Sequence, residues 1–285
     1  MFGSVLREDL SSYGGASNLK FNEKIKSLQA AGEEIFHFGF GQSPFPVPAP
    51  FVKHLKETAG INSYLAVAGL PELREQIVEF HQEWDGVELS SSRLVVGPGS
   101  KELIYLVLAV YRGEVLLPAP AWTTYRPQAR LAGHEPRLVP QTSHNNWKLR
   151  PEDLETSLKE VSQADRPLLM ILTNPGNPSG CVYTRAELES LAEVCRRHKI
   201  IVLSDEIYAR LTYSGSHVCM SEVYPEGTVL TSGFSKWSSA GGWRLGYAHF
   251  PASLARLREA VTSGASHTYS CAPANIQHGT SGAGN

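Results

Sequence analysis

An α/β fold, with a mainly parallel sheet and helices on both faces, is predicted by three features of this sequence. Short β-branched or leucine-rich runs alternate with helical patterns between residues 93 and 250. Strand candidates such as PLLMILTN (167–174) are apolar throughout, as strands covered on both faces are. The helical stretches between them carry start and stop signals, so strand and helix succeed one another.

The elements follow in order. RLVVG (93–97) reads as a strand and SKELIYLVLAVY (100–111) as a buried helix. EVLLP (114–118) is the next strand, followed by a helix over 122–132 and the run PRLVP (136–140). PEDLETSLKEV (151–161) opens with Pro and acidic residues, as helix N-termini do. The strand at 167–174 precedes TRAELESLAEVCRRHK (184–199). That helix has a Thr cap, an acid three residues later and basic residues at its end. IIVLSDE (200–206), GTVLTSG (227–233) and LGYAHF (245–250) complete the set. FGFGQSPFPVPAP (38–50) reads as a Gly/Pro-rich irregular arm. The last residues, HGTSGAGN (278–285), carry no periodic apolar pattern and are expected not to pack. The expected division is an arm and small-domain segment at 1–50, a large domain at 51–275 and an irregular tail at 276–285.

Composition narrows the function. The 285 residues are 42% hydrophobic and 19% charged, with a formal net charge of −2. That balance is globular and lacks the basic stripe of a nucleic-acid binder. The N-terminus shows no signal-like apolar segment, and the run 103–111 is too short to span a bilayer. Cys181, Cys195, Cys219 and Cys271 form no CxxC pair. Free thiols in a reducing, cytoplasmic setting are expected, with no metal site.

In such sheets ligands bind beyond the carboxyl ends of the strands, so the residues after each strand carry the chemistry. Gly97-Pro98-Gly99-Ser100 follows the first strand and opens a helix. Its free N–H groups and dipole suit a phosphate, and a tight turn capped by Ser100 is the plain alternative. Asn174-Pro-Gly-Asn-Pro-Ser-Gly180 is a rigid loop that would fix Asn177 at the sheet edge; a surface turn would look the same. Asp205, at the tip of an apolar strand, could pair with a buried cation or cap the next turn. Tyr208 lies three residues on, at the spacing that faces the same way if a helical turn follows. Lys236 and Arg244 sit in GFSKWSSAGGWRLGY (233–247), among few charged neighbours. An amine at a pocket edge can form a Schiff base, and a guanidinium suits phosphate oxygens; a solvated lysine and a structural ion pair are the plain alternatives.

The order GPGSK, PAPAW, NPGNPSG, SDEIY, GFSK, GGWRLGY resembles the class I aminotransferases, the fold-type-I pyridoxal-phosphate enzymes. Tyr64 to Arg74, Y-x-x-x-x-G-x-PELR, is similar to another stretch of that family. The resemblance implies that Lys236 forms the Schiff base with pyridoxal 5'-phosphate and that Asp205 keeps the cofactor's pyridine nitrogen protonated. Asn177 and Tyr208 would bond its phenolic oxygen, and Trp122 would stack on its ring. Arg244, Ser100, the Gly99–Lys101 backbone and Ser235 would hold the phosphate. Tyr64 would reach the neighbouring subunit's site, implying a homodimer. Gly41 and Asn177 would lie by the substrate. Lys101 occupies a position that in some members contacts the distal acid of a dicarboxylate. Amino acids and 2-oxoacids would be the substrates, with no nucleic acid or membrane as partner. The same residues would serve a C–S β-lyase or a non-catalytic cofactor-binding relative.

Two positions depart from the family pattern. Gly233 stands where many members have a serine that donates to the phosphate. The chain is also expected to end before the family's C-terminal small domain, whose arginine grips the substrate α-carboxylate. No residue here is assigned that role.

Overall fold

The computed structural model describes residues 5, 17–39, 41–159, 166–213 and 215–282. A seven-stranded sheet runs through it in the order β1-β7-β6-β5-β4-β2-β3. The strands are β1 (Leu94–Gly97), β2 (Glu114–Ala119), β3 (Arg137–Pro140), β4 (Leu168–Thr173), β5 (Ile200–Asp205), β6 (Thr228–Gly233) and β7 (Gly246–His249). The pairs β2–β3, β2–β4, β4–β5 and β5–β6 are parallel, while β7 runs antiparallel to both β1 and β6. The sheet is therefore mainly parallel, as its apolar central strands predict.

The helices are α1 (Ser17–Ala30), α2 (Ala49–Thr58), α3 (Pro71–Asp85), α4 (Ser100–Val110), α5 (Tyr125–Leu131), α6 (Pro151–Leu158), α7 (Arg185–His198), α8 (Met220–Val223), α9 (Ala255–Thr268) and α10 (Ala274–Ser281). Alternate strand residues feed two cores, because successive strand side chains point to opposite faces. Val115, Leu117, Leu169, Ile171, Leu203 and Val229 pack with Leu103, Val107, Tyr125, Val261 and Ala265 from α4, α5 and α9. Leu116, Met170, Leu172 and Val202 pack with Leu154, Leu188, Leu191 and Met220 from α6, α7 and α8.

Helix α7 starts where the capping pattern says it should. Thr184 accepts from the Glu187 backbone N–H, and Glu187 returns the bond to the Thr184 backbone N–H at 2.7 Å. Removing this reciprocal cap in Thr184→Ala should lower stability by about 1 kcal/mol, read as a shift in the urea midpoint.

Three expectations need correction. The helix expected over 122–132 begins at Tyr125, after a turn at 122–124 closed by Tyr125 N donating to Trp122 O. Ser100 is the first residue of α4, and Gly99 is its N-cap. The residues from 276 are no irregular tail. Ala274–Ser281 is helical, with Ile276, Gln277, Gly279, Thr280 and Ser281 buried. Its small residues let it lie close on α2, where Gly279 packs against Leu55. Thr58 Oγ1 donates to Asn275 O at 3.0 Å, and Gln277 Oε1 accepts from Leu70 N at 2.8 Å. Residues 283–285 lie outside the described residues. The four cysteines are free thiols, as expected. No helix among the described residues is long and apolar enough to cross a membrane, and no cluster of them could hold a metal ion.

Candidate active site

The strand directions bring the carboxyl ends of β1, β2, β4, β5 and β6 to one edge of the sheet. The loops leaving them converge there. Asp205 ends β5 between Thr173 and Thr231 in the ladder and is 2% exposed. Tyr208 follows in the next turn, and Asn177 Nδ2, from the loop after β4, donates to its hydroxyl at 3.2 Å. Lys236, in the loop after β6, places Nζ 5.5 Å from the Tyr208 ring centre and donates to Gly41 O at 2.5 Å. Gly41 thus brings the arm over the lysine, and Ser239 Oγ joins Ser43 Oγ at 2.7 Å beside it.

The N-terminus of α4 forms a second part. Gly99 has φ +96°, and a Cβ there would lie 2.4 Å from Arg244 Nη2, so only glycine allows this turn and this approach. Arg244 is itself left-handed at φ 56°, anchored by Nη1 to Gly241 O at 2.8 Å and by Nη2 to Pro98 O at 3.2 Å. Lys101 Nζ stands 4.8 Å from the ring centre of Trp122, which follows β2. Ser100 and Ser235 are half-buried and make no side-chain hydrogen bond among the described residues. Tyr64 stands apart: it is 86% exposed and makes no hydrogen bond to the others.

Gly233 is explained by space. A Cβ there would lie 2.8 Å from Leu245 O, just before β7, and 2.9 Å from Gly246 Cα at its start, so a serine would force the β6–β7 backbones apart. Ser232, one residue earlier, has a buried hydroxyl that donates to Glu206 O at 3.3 Å.

The charged side chains of the site act on one another. Burial pushes the Asp205 carboxyl up to about 6, although Tyr125, the Ile207 N–H and Lys236 pull it down. Its hydrogen bonds come from the Tyr125 hydroxyl and the Ile207 N–H, and among the described residues no basic side chain bonds it, so a cation placed here would be stabilised. Burial also lowers the Lys236 amine, helped by the charges of Lys101 and Arg244 and opposed by Asp205. Lys101 is lowered by burial and by Arg244. Lys101, Lys236 and Arg244 therefore form a cationic group with no carboxylate in ion-pair contact among the described residues. It asks for an anion on one side and Asp205 asks for a cation on the other.

Comparison with known proteins agrees with this chemistry. The family model of aminotransferase class I and II matches residues 33–282. The chain belongs to this family. It is 34% identical over 278 residues to an aspartate aminotransferase of Geobacillus stearothermophilus, covering 93% of this chain and 68% of that protein. An aspartate aminotransferase of Bacillus subtilis is 33% identical, with 96% and 70% covered. The solved aspartate aminotransferase of Thermus thermophilus with maleate superposes with a TM-score of 0.90 at 26% identity, covering 100% of this chain and 73% of that one. Aminotransferases of this family move amino groups with pyridoxal 5'-phosphate, and that is the reaction class and cofactor of this chain. The residues present fit the cofactor: a phosphate matches Arg244 and the helix N-terminus, and a pyridinium matches Asp205.

One site residue escapes sequence reasoning. Tyr125 is buried, donates to Asp205 Oδ2 at 2.6 Å and accepts from Thr173 Oγ1 at 2.8 Å. Its only signal is that a buried tyrosine hydroxyl needs a partner, and it sits three residues after Trp122. Tyr125→Phe removes a donor that lowers the Asp205 pKa. The carboxyl then ionises only at higher pH. The acid limb of cofactor binding should shift upward, as measured by absorbance titration from pH 5 to 9.

Proposed function

We propose that this aminotransferase takes dicarboxylic amino acids and their oxoacids and that Lys236, Asp205 and Arg244 carry its cofactor chemistry. The observation that carries the role assignment is Asp205, a buried carboxylate bonded by no basic side chain among the described residues, at the end of the strand that pairs with β6, from which the Lys236 loop leaves. When bound, pyridoxal phosphate supplies an electron sink for the charge left as the substrate Cα loses its proton. Asp205 would hold the proton on the pyridine nitrogen. Asn177 and Tyr208, already bonded to each other, offer a donor pair for the phenolic oxygen. Arg244, Ser100, Ser235 and the Gly99–Lys101 backbone would take the phosphate, with Trp122 against the ring. Lys236, its amine biased toward the neutral form, would take the Cα proton and return it to the cofactor's carbon. Gly41 would border the substrate.

The dicarboxylic preference rests on Lys101, half-buried beside Trp122 with no carboxylate in ion-pair contact among the described residues. The relatives named aspartate aminotransferase and the neighbour solved with maleate, a dicarboxylate, support it. Exposed Tyr64, outside the cluster, fits a site completed across a homodimer. The free thiols fit a reducing compartment such as the cytoplasm.

The test is a panel of amino acids in the half-reaction, followed by cofactor absorbance. L-Aspartate and L-glutamate should react with a lower KM than L-alanine or L-phenylalanine. Lys101→Ala should raise the KM of the dicarboxylic pair by about tenfold and change that of the neutral pair far less. Equal KM values across the panel would remove the substrate assignment. Pyruvate and ammonia formed from a cysteine conjugate without an oxoacid acceptor would instead mark a lyase.

A further inference from the structure

The residue next to Lys236 has a geometry of its own. Trp237 Nε1 donates to Gly233 O at 3.1 Å and so closes the turn 233–237 that carries the lysine. Its ring stacks on Phe80 of α3 with centres 5.5 Å apart and planes 18° apart. It meets Phe51 of α2 edge-on at 6.2 Å and 67°, and Phe234 at 5.7 Å. The same turn is closed again by Ser238 Oγ donating to Phe234 O at 2.5 Å and by Ala240 N donating to that oxygen at 3.2 Å. Gly233, the acceptor, has no room for a side chain, so its carbonyl is fixed by the β6–β7 pairing. Trp237 thus ties a loop residue to a sheet strand and to two helices at once. Lys236, one residue earlier, faces Tyr208 and Gly41.

We propose that Trp237 is the positioning residue of Lys236: the indole bond to Gly233 O and the stack on Phe80 set the turn that presents the amine. The inference rests on the reading of Lys236 as the amine-bearing residue. A site on a loop is less exact than one on a strand unless neighbouring side chains lock it. The indole supplies that lock. A misplacement of the amine by about 1 Å would slow its reaction by about a hundredfold at most, with smaller displacements costing less. The charged and titratable groups that act on the amine are Asp205 on β5, Lys101 on α4 and Arg244, and the Tyr208 ring faces it. Loosening the turn returns the amine to water and raises its pKa toward that of an ordinary lysine.

The test uses the full chain in two states. In cofactor-free protein, acetylation of Lys236 by acetic anhydride is followed against pH by peptide mass spectrometry. In protein mixed with pyridoxal 5'-phosphate, the rate of covalent capture at Lys236 is read by borohydride trapping. Trp237→Phe keeps the stack and loses the donor. It should raise the acetylation midpoint and slow capture about fivefold, and Trp237→Ala should slow it by about tenfold or more. Val223→Ala, a truncation in the core under α7 and α8, should lower the melting temperature but leave midpoint and capture rate unchanged. Folded Trp237→Phe with wild-type midpoint and capture rate overturns the proposal, whether or not Trp237→Ala folds. Capture that persists in Lys236→Ala would instead defeat the reading of Lys236, and the acetylation midpoint would still decide the role of Trp237.

Discussion

Lys236→Ala should abolish covalent capture of the cofactor and nearly all amino transfer. The rate should fall by about 10⁴, the combined scale for losing a nucleophile and a proton carrier. The size follows from the site. The Lys236 amine is lowered by burial, with Lys101 and Arg244 adding to the effect, so more of it is neutral and nucleophilic near pH 7. The competing amine is Lys101, lowered by burial and by Arg244. It is held 4.8 Å from the Trp122 ring centre rather than against Tyr208. Borohydride trapping and mass spectrometry should find the cofactor on the Lys236 peptide alone. Trapping at Lys101 in the wild-type chain would overturn the assignment. Small free amines added to Lys236→Ala should restore part of the proton transfer, since a diffusing base can replace the lost one.

Asp205→Asn should split function from stability. Without the carboxylate the pyridine nitrogen loses its counter-charge, and kcat/KM should fall by about 10²–10³, the scale of one electrostatic contact in a closed site. The cofactor-free protein should respond in the opposite sense. Burial raises the folded pKa of Asp205 to about 6, above the value near 4 of an unfolded chain. A raised carboxyl stabilises the fold fully below about pH 4, and the contribution is lost as pH rises through about 6. Above that pH the wild-type chain holds an unpaired buried charge that the asparagine variant lacks. Melting curves of cofactor-free protein at pH 8 should show Asp205→Asn equal to or above wild type, while at pH 5 the two converge. A clear drop for the variant at pH 8 would mean that Asp205 already has a cation in the folded chain. Saturating pyridoxal phosphate should raise the wild-type melting temperature more than that of the variant.

Much of this was readable from residue order. The apolar runs of β4 and β5 and the Thr184–Glu187 box of α7 each have a local cause, and they form where that cause puts them. The convergence of Asp205, Tyr208, Asn177 and Lys236 was legible because each ends or follows a strand of one parallel set. What remained hidden depends on packing between distant segments. Tyr125 reaches Asp205 only because α5 packs on α4 and β2 with its first residue aimed at the ends of β4 and β5, which no spacing in the chain records. Helix α10 was hidden for another reason. Glycine, serine and threonine give it no apolar stripe, yet their small size is what lets it approach α2. Gly233 looked like a lost phosphate ligand and proves to be a spacing requirement between strands.

The contact between α10 and α2 has a consequence for how the chain is made. Thr58 meets Asn275, and Leu70 meets Gln277, across more than two hundred residues of sequence. The segment containing α2 and α3 leaves the ribosome early, but these partners emerge only after the central strands. At about 5–20 residues per second, that delay is on the order of ten seconds or more. During it Leu55, Leu70 and Leu73 have no completed surface to cover them. The nascent chain is then exposed to chaperones and to association with its neighbours. Synonymous changes that slow translation between residues 85 and 270 should lengthen that window and reduce the yield of folded protein without altering a single side chain.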